Sequence, residues 1–195
     1  RVHMKQIALA LVAIVLVSAV AIGGDMAKSG QWGVQTSLGV AKSPIVSLSS
    51  LGLKFMASDN LAVRVEAGFA SYTPQGINSS ATTGYAFGAG FEYHMAAIGG
   101  VSPYLGLQAG YGSGSVPAPT VGTAPPTPAT MTVTGVWGGE YFFSTNFSWG
   151  GEVGLGVSST SNQPYYDPNS PTTAYGSATT IGIGSATMMI TWYLN

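Results

Sequence analysis

Residues 61–72 read LAVRVEAGFASY. Two interleaved series run through this stretch. Leu61, Val63, Val65, Ala67 and Phe69 carry no polar group, whereas Ala62, Arg64, Glu66, Gly68 and Ala70 set a cation and an anion among small side chains. Successive side chains of a strand point to opposite faces. The stretch therefore reads as a strand with one face of hydrocarbon and one that carries charge. Charge is scarce elsewhere, at 7% of the chain against 46% hydrophobic residues. A water-facing surface usually carries about 25–35% charged residues, so this chain cannot cover itself in that way. Its apolar and aromatic content is too high for a disordered chain. The net charge of −1 gives no basic footprint for nucleic acid. With no cysteine, disulfides, thiolate metal sites and a lipid-modified N-terminal Cys are all excluded.

The same alternation recurs along the chain. In QWGVQTSLGV (31–40), Trp32, Val34, Thr36, Leu38 and Val40 share one face. LGLKFMA (51–57) sets Leu51, Leu53 and Phe55 against Lys54 and Met56. GYAFGAGFEYH (84–94) sets Tyr85, Phe87, Phe91 and Tyr93 against Glu92 and His94. PYLGLQAGYG (103–112) puts Leu105, Leu107 and Tyr111 together. MTVTGVWGGEYFF (131–143) is the weakest case: if Glu140 is on the polar face, Trp137 and Tyr141 are on the apolar one, but Val136 faces the wrong way. FSWGGEVGLGVS (147–158) aligns Phe147, Trp149, Val153, Leu155 and Val157 opposite Glu152. In TTIGIGSATMMITWYLN, Ile181 and Ile183 have one parity and Met188, Ile190, Trp192 and Leu194 the other, which a bulge near Ser185 reconciles.

Eight strands result, most of 9–13 residues, about the length a tilted strand needs to cross a bilayer. The connections at 58–60, 95–101 and 144–146 are short. Those at 42–49, 73–83, 113–130 and 159–177 are long and rich in Ser, Thr, Pro and Gly. Short turns on one rim and long loops on the other are the pattern of an outer-membrane barrel, with the short turns periplasmic. The six strand charges, Lys54, Arg64, Glu66, Glu92, Glu140 and Glu152, all lie opposite the bulky apolar residues. Alternation alone also allows a lipocalin-like soluble barrel with the apolar face inside. Against that, the other face is mostly Gly, Ala and Ser, and the apolar face is charge-free and aromatic. Trp32, Phe55, Tyr93, Tyr141, Phe143, Phe147, Trp149 and Trp192 gather at the short-turn side, and Tyr85 and Tyr111 at the other. Such girdles lie at the two membrane interfaces.

The expected fold is thus an all-β, eight-stranded antiparallel up-and-down transmembrane barrel over residues 31–195. Lipid surrounds it, and the charges line the lumen. In lipid every backbone group must be paired internally, and a closed sheet does this. Eight strands leave an interior that side chains just fill. Lys54 and Arg64 would face each other across the 58–60 turn, with Glu66 just above, Glu92 at the same rim, and Glu140 and Glu152 across the barrel. Buried charges must be paired, so these read as a cross-lumen salt-bridge network. Separate charges solvated by trapped water are the alternative.

Ahead of the barrel, MKQIALALVAIVLVSAVAIGG (4–24) has a Lys, an apolar run and the small-residue site Ala19-Val20-Ala21. It reads as a signal peptide over residues 1–21, with residues 1–3 an upstream extension, cleavage before Ile22 and a lead-in over 22–30. Cleavage lowers the basic residues from 6 to 4 against 7 acidic ones, for a net charge of −3. An uncleaved anchor is the rival, since Ile7 to Gly24 is at the lower limit of a span.

The leader, the eight alternating strands, the asymmetric loops and the aromatic last strand MMITWYLN resemble the small outer-membrane barrels: the membrane domain of outer membrane protein A, outer membrane proteins X and W, and the opacity-type adhesins. The resemblance covers residues 30–195 and is architectural. It implies a bacterial outer-membrane location, a charge-paired interior, outer-membrane lipids as surroundings, and delivery by the outer-membrane assembly machinery. That machinery reads a terminal Phe or Trp in many such barrels, whereas this chain ends Trp192-Tyr193-Leu194-Asn195. No periplasmic domain is expected after the barrel.

Some small barrels are enzymes. The candidate here is His94 with Glu92 on the same face, which could form an acid–base pair. No nucleophile is evident beside them and they lie at the short-turn rim, so a structural role is the expectation. Tyr165 and Tyr166 form an aromatic loop tip that could contact a surface partner or pack on its own loop. SVPAPTVGTAPPTPAT (115–130) reads as an extended, mobile display loop. Asp167 and Asn169 are too few ligands for calcium, and the glycines precede no helix that would make a phosphate loop. No cofactor, metal or nucleic acid is expected. The role expected is structural or surface contact with a plugged lumen; a narrow channel for ions or small solutes is the alternative.

Overall fold

Eight strands alternate direction and close on themselves in chain order. They are β1 (Trp32–Gly39), β2 (Ser50–Met56), β3 (Leu61–Tyr72), β4 (Thr82–His94), β5 (Val101–Gly114), β6 (Ala129–Ser144), β7 (Phe147–Tyr165) and β8 (Ala174–Leu194). The structure, a computed structural model, describes residues 26–39, 50–72, 82–115, 126–165 and 174–194. Closure comes from β1 pairing with β8, Trp32 opposite Leu194 and Gly39 opposite Thr187. The proposed signal peptide, Tyr166, Asp167, Asn169 and most of the long connections lie outside the described residues.

Parity decides the layers. Leu53, Val65, Phe69, Phe87, Leu107, Trp137, Leu155, Ile181 and Trp192 are exposed on the outer wall, and no charged residue shares it among the described strands. Inside, Lys54, Arg64, Glu92, Glu140 and Glu152 are buried, together with His94, Tyr104 and Tyr193. An ordinary soluble fold inverts this order.

Two tight turns fix the short rim. Ile98 and Val101 exchange backbone hydrogen bonds around Gly99 and Gly100, whose φ values are 60° and 80°. Positive φ at both central residues matches the right-handed twist of a hairpin and favours glycine at each. At the 58–60 turn the Ser58 hydroxyl accepts from the amides of Asn60 and Leu61.

The structure corrects some boundaries. β7 runs to Tyr165, which pairs with Ala174, so the connection read over 159–177 shrinks to 166–173 and Tyr165 is a strand residue rather than a loop tip. β6 likewise starts at Ala129 rather than Met131. From Ser159 to Gln163 both faces of β7 are polar, so periodicity has nothing to report there. Val136 does face the lumen, buried beside Tyr104 and Met189. In β8 the pairing jumps from Gly154–Ser185 to Leu155–Ile183, leaving Gly184 as the extra residue.

Candidate functional site

The lumen is built in three levels, beginning at the short-turn rim with an apolar floor. Met56, Ala62, Phe142 and Tyr193 point inward from β2, β3, β6 and β8, and the Phe142 and Tyr193 rings stack with centroids 6.0 Å apart. Ala27, from the segment before β1, is buried among them, with Met26 packed alongside. That segment is tied down by hydrogen bonds from the Gly30 amide to the Met56 carbonyl and from the Ser29 amide to Asp59 Oδ1. Sequence reasoning missed this floor, because a lone inward Met or Phe at a strand end breaks no pattern.

The ionic level sits directly above it. Lys54 and Arg64 are register partners on β2 and β3. Lys54 Nζ lies 2.6 Å from Glu92 Oε2 and 2.7 Å from Glu140 Oε2. Arg64 spreads its guanidinium between two carboxylates, Nη1 to Glu92 Oε1 and Nη2 to Glu152 Oε1, both at 2.8 Å. Glu92 thus bridges both cations, and the pairs link β2, β3 and β4 to β6 and β7 across the lumen. The spare carboxylate oxygens also have donors. Ser148 and Tyr193 donate to Glu140 Oε1 at 2.5 and 2.9 Å. Tyr104 donates to Glu152 Oε2 at 3.0 Å, and Gln108 to its Oε1 at 3.2 Å. Charges taken from water are tolerable when paired and hydrogen-bonded in this way.

Glycines make the room. A Cβ at Gly138 would lie 2.4 Å from Tyr104 Cζ and 2.8 Å from the Gly151 carbonyl oxygen, so only glycine lets the Tyr104 ring cross to Glu152. Met189 fills the centre, its sulfur accepting from Gln35 Nε2 and Arg64 Nη1.

Glu66 is the one candidate charge set apart. It lies a level higher, accepts from Ser50 Oγ at 3.0 Å, and has no cation beside it among the described residues. Ser50 in turn shares a hydrogen bond with Ser37. A cavity of about 320 Å³ opens at this level, lined by Glu66, Ser50, Gln108, Thr132, Thr134 and Thr187, with Glu152 at its base.

His94 sits in the ionic level, Nε2 3.0 Å from Glu92 Oε2 and Nδ1 3.0 Å from Ser102 Oγ. The sequence reading found no nucleophile near His94, and Ser102 corrects it. The three groups have the order of an acid–base–nucleophile relay, but all are fully buried. Ser102 also donates its hydroxyl to the Met95 carbonyl. A nucleophile must reach its substrate, and the described cavity lies on the far side of the ionic level from Ser102. Glu92, His94 and Glu140 could geometrically surround a metal ion, yet the Lys54 ammonium already holds two of them.

Outside, aromatic rings gather at both ends of the apolar wall. Tyr141, Phe143, Phe147 and Trp192 form a chain with centroids 4.7, 5.5 and 5.9 Å apart, and Trp32 packs on Phe55 at 4.6 Å. Tyr93 is exposed near this rim and Trp149 half-buried. Toward the long connections Tyr85 meets Tyr111 at 6.4 Å.

No protein-family model matches the sequence, and no curated protein matches it. Solved structures do. The outer membrane protein OprG of Pseudomonas aeruginosa superposes with a TM-score of 0.51 at 13% identity, over 90% of this chain and all of that one. The N-terminal barrel domain of Pseudomonas aeruginosa OprF gives 0.47 at 12% identity, over 87% of this chain and all of that one. The outer membrane protein AlkL gives 0.44 at 12% identity, over 90% and 95%. At such identities the likeness to OprG is one of fold. Together with the apolar, charge-free wall, it makes this chain an eight-stranded transmembrane β-barrel.

Proposed function

We propose that the chain is an integral protein of a bacterial outer membrane, exported by a cleaved signal peptide, whose plugged barrel anchors long surface connections. One observation carries this reading: an ionic level and an apolar floor stand in series across the lumen, each made of buried side chains. A cross-lumen path for solute would have to part four salt bridges and then the Phe142–Tyr193 stack. The function then lies in what the barrel holds at its rims. The aromatic girdles, Trp32, Tyr93, Tyr141, Trp149 and Trp192 on the short-turn side and Tyr85 and Tyr111 on the other, would lie at the two lipid interfaces. The short turns would face the periplasm and the long connections, Tyr166 among them, the exterior. Outer-membrane lipids and the assembly machinery are the partners this implies, and a surface partner for the connections is the open one.

The test is single-channel recording. Residues 22–195 are refolded, checked for β-sheet by circular dichroism and inserted into a planar bilayer. The expected record is flat. Steady conductance that changes in Arg64→Ala would replace the plug with a channel in which the ionic level is gate or filter.

A further inference from the structure

The cavity above the ionic level has a chemistry of its own. Its volume is about 320 Å³, room for roughly ten waters at about 30 Å³ each. Its wall is made of Ser37, Ser50, Thr130, Thr132, Thr134 and Thr187, with Gly68, Gly88, Gly110 and Gly112 between them. Two carboxylates reach it, Glu66 and Glu152, and no Lys or Arg among the described residues lines it. Glu152 is committed to Arg64, Tyr104 and Gln108 below. Glu66 is not. Ser50 donates to Oε2, while Oε1 rests over Gly88 of the neighbouring strand, 2.9 Å from where a Cβ would stand, and has no hydrogen-bond donor among the described residues. The other polar groups are mostly hydroxyls, which donate or accept as the occupant requires, and Ala86, Ala109 and Met189 add apolar surface for a short chain.

We propose that this cavity is a blind binding site for a small organic cation, an alkylammonium with room for a short chain, held by Glu66 and the surrounding hydroxyls. Sign and size both follow from the wall. An anion would meet two carboxylates and, among the described residues, no cation. A neutral polyol could use the hydroxyls but would leave the Glu66 charge without a counter-charge in a narrow, low-dielectric space, where a partner is worth more than in bulk water. The ionic level forms the base, so the site can be filled only from the side of the long connections. The site goes beyond the anchoring role proposed above: a conducting lumen would refute that role and still leave binding at Glu66 to be measured separately.

The experiment is isothermal titration of the refolded full chain in lipid nanodiscs with three probes of matched size: 1,4-diaminobutane as the dication, 1,4-butanediol as the neutral analogue and succinate as the anion. Saturable binding of the diamine is expected, with affinity at least about tenfold above the diol and no binding of succinate. Glu66→Gln keeps the side-chain shape and an acceptor for Ser50, and is expected to lower diamine affinity by at least about tenfold. Gly112→Leu tests location without touching a charge. A Cβ there meets nothing closer than 3.5 Å, so the variant should fold, fill the cavity and abolish binding. Circular dichroism establishes that each variant is folded. Equal binding of diamine and diol, or full diamine binding in Glu66→Gln or Gly112→Leu, overturns the site. So does absence of diamine binding by the folded parent.

Discussion

Arg64 holds two carboxylates at once, Glu92 and Glu152, through separate arms of one guanidinium. A planar fork with fixed donors suits that task, and a lysine ammonium does not reproduce it. Truncating the fork leaves buried carboxylate oxygens short of a counter-charge. Arg64→Ala should therefore lose about 3–5 kcal/mol of stability, as removal of one partner from a buried pair does, read by urea unfolding of the refolded barrel. Arg64→Lys should fall between parent and alanine. A loss below about 1 kcal/mol for Arg64→Ala, the range of a solvated surface pair, would mean that water screens these charges and that they do not act as a network. Paired removal is a different experiment. Lys54→Met with Glu140→Gln takes out both ends of one contact, and should cost less than Lys54→Met alone. The six strand charges were legible in the sequence because each breaks the small-residue face on which it lies. Their neutral partners were not. Tyr104, Ser148, Tyr193 and Met189 are types that occur on either face of a strand, and only the register brings the first three to a carboxylate and Met189 to the Arg64 guanidinium.

Strands were legible wherever their two faces differ in chemistry. In β3 the faces are hydrocarbon and charge or small side chain, and the sequence placed both termini. In the upper parts of β7 and β8 both faces carry Ser and Thr, and the strands vanished into an apparent loop. In β8 parity conflicts with itself. Ile181 and Ile190 are both exposed on the outer wall, yet their spacing is odd, so one residue between them has no partner across the ladder. The register makes that residue Gly184. Its removal would join Ile183 to Ser185 with both keeping their partners on β7. Deleting Gly184 should therefore give a barrel that folds, with stability changed by less than about 1 kcal/mol, since no face turns over. Urea unfolding measures this, and a chain that no longer folds would show that the bulge itself, with its local bend, is required for closure.

At the scale of the molecule the barrel is sealed twice. The ionic level is held by charge pairs, and the floor by apolar packing that includes Ala27 from outside the sheet. The seals differ in origin: one is made of five of the six lumen charges that the sequence shows, the other depends on a lead-in that carries no pattern. They stand in series, so opening either alone leaves the other shut. Tyr193 joins them, since its ring is part of the floor while its hydroxyl donates to Glu140. This arrangement predicts an interaction between two changes that are each silent. A chain beginning at Lys28 lacks Met26 and Ala27 but keeps the ionic level, and should not conduct. Lys54→Ala with Glu140→Ala removes both Lys54 ion pairs but keeps those of Arg64 and leaves the floor, and should not conduct either. Combined, the two changes empty space at both levels, and a measurable single-channel conductance is expected in a planar bilayer. Conductance from the shortened chain alone would make the floor the sole barrier and the charges lining of an open pore. Silence in the combined variant, with its sheet intact by circular dichroism, would mean that Arg64, Glu92 and Glu152 close the section without help, and that the lead-in only stiffens the rim.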